Sequence, residues 1–216
     1  MSHRYTDTLR ASAQPTWSQA VDHRFVRELL DGSIDDTVMA AYLVQDHRFL
    51  DSFLTLLGAA IASADTFEAR LRFGRFAGMV SGEENTYFLR AFEALGVDAA
   101  ARAAIPDSAP TAGFQAIMRE AAATRSYVAT LAVLNVAEWL YLDWAARAPQ
   151  PLPQNFVHAE WITLHDNAFF RDFVAFLRGE LDRVGPAEDA LARDFFQRAV
   201  QLELAFFDAA YAAAGA

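Results

Sequence analysis

Four residues capable of acid–base chemistry stand where a helical protein should carry apolar ones: Asp46, Glu138, His165 and Glu203. An unpaired charge is costly to bury, so a carboxyl inside an apolar stripe marks either an ion pair or a working group. Tyr42, Asp46, Phe49 and Leu50 fall at i, i+4, i+7 and i+8, which puts Asp46 on one helix face with two aromatic rings. Leu134, Glu138 and Tyr141 repeat the arrangement inside Leu131 to Leu142, a stretch that is apolar except for Asn135 and Glu138. Trp161 and His165 form an i, i+4 pair, and Glu203 lies among Leu202, Leu204, Phe206 and Phe207. Each has a bland reading: Asp46 pairs with His47 or Arg48, Glu138 pairs with an arginine, His165 is structural, and Phe206 and Phe207 are core. As a set, three carboxyls with flanking rings on separate helices describe an enclosed acidic, aromatic pocket. Such a pocket suits a small planar heterocycle that is cationic or amino-substituted, held by stacking and carboxylate hydrogen bonds.

Long helices must carry these residues. Ala, Leu, Phe, Glu and Arg abound while Val, Ile and Thr are sparse, a helix-forming composition. A helical stretch from near Pro15 to about Leu30 is expected, with Asp31-Gly32-Ser33 ending it and capping the next, from Ile34 to about Ser63. Asp65-Thr66-Phe67-Glu68 should open a helix running past Leu89 to Leu95-Gly96. Gly74, Gly78 and Gly82 strip one face of it, for close approach of a neighbour or for a bend. A short helix and loop over Ala99 to Pro110 precede a helix from Thr111 to Ala148. Pro149, Pro151 and Pro153 then form a connection, Asn155 caps a helix to about Val184, and Gly185-Pro186 turns into the last helix. The expectation is an all-α, single-domain bundle of about seven helices over residues 1–216.

With 216 residues, 54% of them hydrophobic, the chain can bury a core without a disulfide or structural metal, and it has no cysteine for thiolate chemistry or a CxxC pair. A net charge of −10, with no basic cluster, speaks against a nucleic-acid partner. No eighteen-residue apolar span and no signal-peptide pattern occur, so a cytoplasmic protein with no membrane partner is expected.

Three segments carry a resemblance. Tyr42 to Leu50 (YLVQDHRFL), Trp161 to His165 leading to Phe170, and Glu203 to Tyr211 (ELAFFDAAY) resemble, in order, three motifs of the TenA/thiaminase II family. The resemblance implies a haem-oxygenase-like bundle without haem or other cofactor and with no metal site. It also implies a homo-oligomer, a tetramer or a dimer, that hydrolyses pyrimidines released from damaged thiamin to hydroxymethyl-pyrimidine. Matched position by position, Asp46 would bond the aminopyrimidine edge and Glu203 would transfer a proton to ring or leaving group. Phe49 and Phe207 would be aromatic walls, and Tyr141 would stand beside the position of the family's active cysteine. Here that position is Ala137, and His165 replaces a frequent tyrosine. Glu138 matches the family's cysteine-less, glutamate branch.

The expected reaction is amine hydrolysis at an aminomethyl-pyrimidine, or removal of its N-formyl group, giving hydroxymethyl-pyrimidine in the salvage route, with Glu203 as proton donor, Glu138 activating or positioning water, and Asp46 orienting the ring. Loss of the thiol argues against thiaminase activity. Two other functions compete: a diiron oxygenase on the same fold, which the absence of an ExxH pair disfavours, and a pyrimidine-binding or regulatory protein without turnover.

Overall fold

A computed structural model describes residues 4–215. It is all-α, as expected, and among the described residues there is no strand. Three short helices, α1 (Tyr5–Ser12), α2 (Thr16–Val21) and α3 (Arg24–Asp31), lead into the long α4 (Asp36–Ser63). Next come α5 (Phe67–Met79), a π-helical turn (Val80–Glu84) and α6 (Asn85–Ala94), then α7 (Ala99–Ala104) and α8 (Ala109–Thr124). The buried α9 (Tyr127–Ala145) is followed by α10 (Phe156–Leu164), α11 (Ala168–Val184), a 3₁₀ turn (Gly185–Glu188) and α12 (Asp189–Ala214).

The caps explain the boundaries. Asp35 and Thr66 accept hydrogen bonds from Thr37 N–H and Ala69 N–H at the starts of α4 and α5. Gly32, with φ +79°, closes α3 in the left-handed conformation, as its place in Asp31-Gly32-Ser33 suggests. The α4 cap is Asp35, not Ser33.

Three long helices of the sequence reading are divided. Pro15 to Leu30 breaks at Asp22 and His23, where the His23 ring accepts from Phe25 N–H and caps α3. Thr111 to Ala148 breaks at Arg125, which is left-handed at φ 57°, and Ser126 caps α9. Asn155 to Val184 breaks at His165, and Asn167 caps α11. In each case a side chain satisfies the new helix's free N–H groups, so the break costs few hydrogen bonds. The glycine face of α5 is not a packing face: a Cβ at Gly74, Gly78 or Gly82 would meet nothing within 4 Å. The helix widens there into its π turn instead.

The core is built around α9, which is buried on nearly every side and packs on α11 and α12, while α4 packs on α8 and α12. Asn135, the amide within its apolar run, donates to the Leu131 and Leu177 carbonyls and so ties α9 to α11. Phe76 stacks on Phe173 at a centroid distance of 3.8 Å and joins α5 to α11. Among the described residues no helix is long and apolar enough to cross a membrane.

Candidate active site

Helices α4, α8, α9, α10 and α12, together with the π turn, line one cavity, whose empty space of about 460 Å³ includes its opening to solvent. Helix α4 brings Asp46 and Phe49, α9 brings Glu138 and Tyr141, the end of α10 brings His165, and α12 brings Glu203. Six of the seven residues expected from sequence therefore line one space. The seventh, Phe207, is outside the lining: its ring is fully buried, 5.1 Å from Phe25 and 6.2 Å from Tyr42, as part of the core behind the site. Phe206 backs the wall, 5.5 Å from Phe49 and 6.0 Å from Phe114.

Asp46, Glu138 and Glu203 are each more than nine-tenths buried. Among the described residues no hydrogen bond or ion pair engages any of them, and none of their oxygens is among the sealed, unpaired atoms, so they face the cavity. The bland readings fail here. Arg48 turns away to Asp107 at 2.8 Å and to the Arg102 carbonyl, His47 bonds Asn85, and no arginine reaches Glu138. A fourth carboxyl, Glu84 at the end of the π turn, lines the same cavity but is only partly buried. Sequence reading missed it because its immediate neighbours, Gly82, Glu83, Asn85 and Thr86, are those of a solvated turn. The available signal was its place in the stripe Val80, Glu84, Tyr87, Phe88 and Ala91, the pattern that singled out Asp46.

Burial and mutual repulsion hold these acids toward their neutral forms. Burial is the main cause for all four. The Glu84 charge adds to it at Asp46, the Asp46 charge at Glu203, and the charges of Glu84, Glu203 and Asp46 at Glu138. Glu84 itself is pushed up to about 7, and Asp46, Glu138 and Glu203 lie well above the ordinary carboxylate range. His165 moves the other way, down to about 4, because burial disfavours its cation. Its Nδ1 lies 2.8 Å from the Trp161 carbonyl, which can only accept. The neutral ring therefore keeps its proton on Nδ1 and leaves Nε2 as an acceptor. The Tyr141 and Tyr42 hydroxyls bond each other at 2.6 Å, which fixes the Tyr141 ring 4.8 Å from His165.

Ala137 and Glu138 both line the cavity although consecutive helical residues differ by about 100° in direction. Ala137 is the more exposed of the two, so Ala137 stands toward the rim and Glu138 inside. Among the described residues no group of three or more His, Asp or Glu side chains is placed to hold a metal ion.

An all-α bundle closed around a cavity lined by aromatic rings and four carboxyls, unpartnered among the described residues, is an arrangement suited to a small, donor-rich molecule. The family profile of TENA/THI-4/PQQC matches residues 10–213, and the chain belongs to that family. It is 23% identical over 214 residues to the aminopyrimidine aminohydrolase of Halalkalibacterium halodurans, covering 96% of this chain and 95% of that one. Among solved structures, the fold is similar to a TenA homologue from P. horikoshii, with a TM-score of 0.87 at 19% identity over 98% of this chain and 100% of the other. A putative TenA-like thiaminase from Sulfolobus solfataricus superposes with a TM-score of 0.81 at 16% identity, covering 98% and 97% of the two chains.

Proposed function

We propose that the protein is a thiamin-salvage hydrolase that converts an aminomethyl- or formylaminomethyl-pyrimidine to hydroxymethyl-pyrimidine. One observation carries the reading: three buried carboxyls, with no partner among the described residues, open into a single cavity walled by aromatic rings. Acids so placed need a ligand that supplies several N–H donors and positive charge. A 4-aminopyrimidine offers an exocyclic amino group, a ring nitrogen that can be protonated, a flat face for stacking, and the nitrogen of its side arm. The likeness to an aminopyrimidine aminohydrolase supports the same class.

In this reading Asp46 accepts from the amino edge of the ring, and Phe49 and Tyr141 bound its faces. Glu203, held toward its neutral form by burial and by the Asp46 charge, gives its proton to the ring or the departing nitrogen. The methylene C–N bond breaks with its electron pair going to nitrogen. Water forms the new C–O bond, and its proton passes to Glu138, ionised by the positive charge that the substrate brings. Return of that proton to Glu203 restores the starting state, so the sum is amine plus water giving alcohol plus ammonia. His165, an acceptor through Nε2, orients the water or the ring. Replacement E203Q keeps the shape and removes the acid. The expected result is loss of turnover with pyrimidine affinity within about threefold of wild type, since binding rests on several contacts; release of free alcohol at the wild-type rate would overturn the assignment.

A further inference from the structure

The four carboxyls are not equivalent. Asp46, Glu138 and Glu203 are more than nine-tenths buried, whereas Glu84 keeps part of its surface open, as do Phe49 and Ala137. These three therefore form the rim, with Glu84 its one charged member. Its position is fixed from both sides. Phe73 and Phe76 bury α5 before the π turn, and Tyr87 and Phe88 bury α6 after it. The Tyr87 hydroxyl donates to the Val157 carbonyl at 2.7 Å, and Asn85, next in the chain, bonds the His47 ring at 3.1 Å. Irregular turns of this kind commonly place a working side chain inside a helix.

We propose that Glu84 sets the leaving-group specificity: its carboxylate receives the ammonium end of an aminomethyl-pyrimidine at the rim and so selects primary amines over their formylated counterparts. The inference rests on the hydrolase reading above. Among the described residues no hydrogen bond or ion pair engages Glu84, so its oxygens are available to a ligand. Asp46 on α4 and Glu138 on α9 feel its charge, Glu203 on α12 and the neutral His165 share the lining, and no cation stands there; His47, bonded to the neighbouring Asn85, is held toward its neutral form by burial. A carboxyl pushed up only to about 7, standing at the rim, is the one an arriving cation meets in a pH range where it can ionise. On departure, the released ammonia carries away the proton that the substrate's ammonium brought in and leaves past Glu84 as ammonium, while the proton that Glu138 gained from water returns to Glu203. A formylamino group is neutral and leaves as neutral formamide, so a rim carboxylate gives it no comparable hold.

Steady-state kinetics of wild type, E84Q and E84D on the two substrates test this. E84Q should lower kcat/KM for the aminomethyl-pyrimidine by on the order of 10- to 100-fold, the loss expected for one charge-assisted contact, and change the formylamino substrate by less than about threefold. E84D should recover most of the loss on the amine. An equal loss on both substrates, or none on the amine, would overturn the proposal. If wild type hydrolyses neither compound, the hydrolase reading fails and the role of Glu84 is read from calorimetric binding instead. There, wild type should prefer the aminomethyl- to the hydroxymethyl-pyrimidine and E84Q should not. Retention of the preference in E84Q, or its absence in wild type, would overturn the role of Glu84 whatever the activity.

Discussion

Replacing Glu84 by glutamine should stabilise the free protein, and only above mildly acidic pH. The Glu84 carboxyl is carried by burial from 4.5 to about 7. Between those values the folded chain binds a proton that the unfolded chain has released, so its stability falls as pH rises through that window. Over the whole interval the penalty reaches about 3 kcal/mol, taking 1.36 kcal/mol for each tenfold step in proton affinity. Partial exposure places the true figure at or below this value. E84Q keeps the volume and removes the titration. Urea denaturation of both proteins should give nearly equal unfolding free energies at pH 4.5. By pH 8, E84Q should be ahead by up to about 3 kcal/mol, equivalent to roughly 6–12 °C in Tm for a domain of this size. A difference that stays flat between pH 4.5 and 8, or a variant less stable at pH 8 than wild type, would refute the placement of Glu84 in the cavity as a strained acid. A residue that costs stability when the cavity is empty is expected of a group kept for a ligand.

Binding of the protonated aminomethyl-pyrimidine should release protons to the buffer, because its charge lowers carboxyl affinities that burial and repulsion had raised. Calorimetry in buffers of different ionisation enthalpy reads the sign directly, and proton uptake would contradict it. A137C introduces the chain's only thiol at the cavity rim; it should react with a small methanethiosulfonate and be protected by hydroxymethyl-pyrimidine, whereas labelling indifferent to the ligand would place the pyrimidine elsewhere. R125G should stabilise the protein by about 1 kcal/mol, since glycine accepts the left-handed conformation at no steric cost. The Arg125 side chain is exposed, so a loss in urea stability would show that it contributes more than its backbone.

The sequence exposed those site residues that violate a helical pattern. Asp46, Glu138 and Glu203 stand in stripes whose other members are apolar, and burial turned that mismatch into a shared cavity. The helix breaks were harder to see, for a different reason in each case. His23 caps α3 although histidine is not among the usual capping residues, and Arg125 adopts a left-handed conformation that its type does not announce. Asn167 was a legible cap, hidden because no glycine or proline stands near it to mark the break. Phe207 shows the limit of position-by-position transfer from a motif: its neighbour along the helix backs the wall, and Phe207 itself points into the core behind Tyr42.

The missing cysteine and the hidden glutamate bear on one question. A thiol at position 137 would act from the rim, where Ala137 lies, while Glu138 projects to the inside of the same wall. Trading one for the other therefore moves the reactive group inward and leaves the rim without a nucleophile. It also adds a third acid to two that are already buried, and repulsion among them raises the proton affinity of each. An acid set of that kind is a poor base until something cationic enters. Glu84, the least buried of the four, is where a cation first meets a carboxyl that ionises near neutrality. The charge needed to turn Glu138 from a spectator acid into a base thus comes with the substrate's own amine, which couples recognition of the leaving group to activation of water. That coupling predicts that E84Q and E138Q are not additive on the aminomethyl-pyrimidine. A double variant should be little slower than E138Q alone, and a full multiplicative loss would show that the two carboxyls act independently.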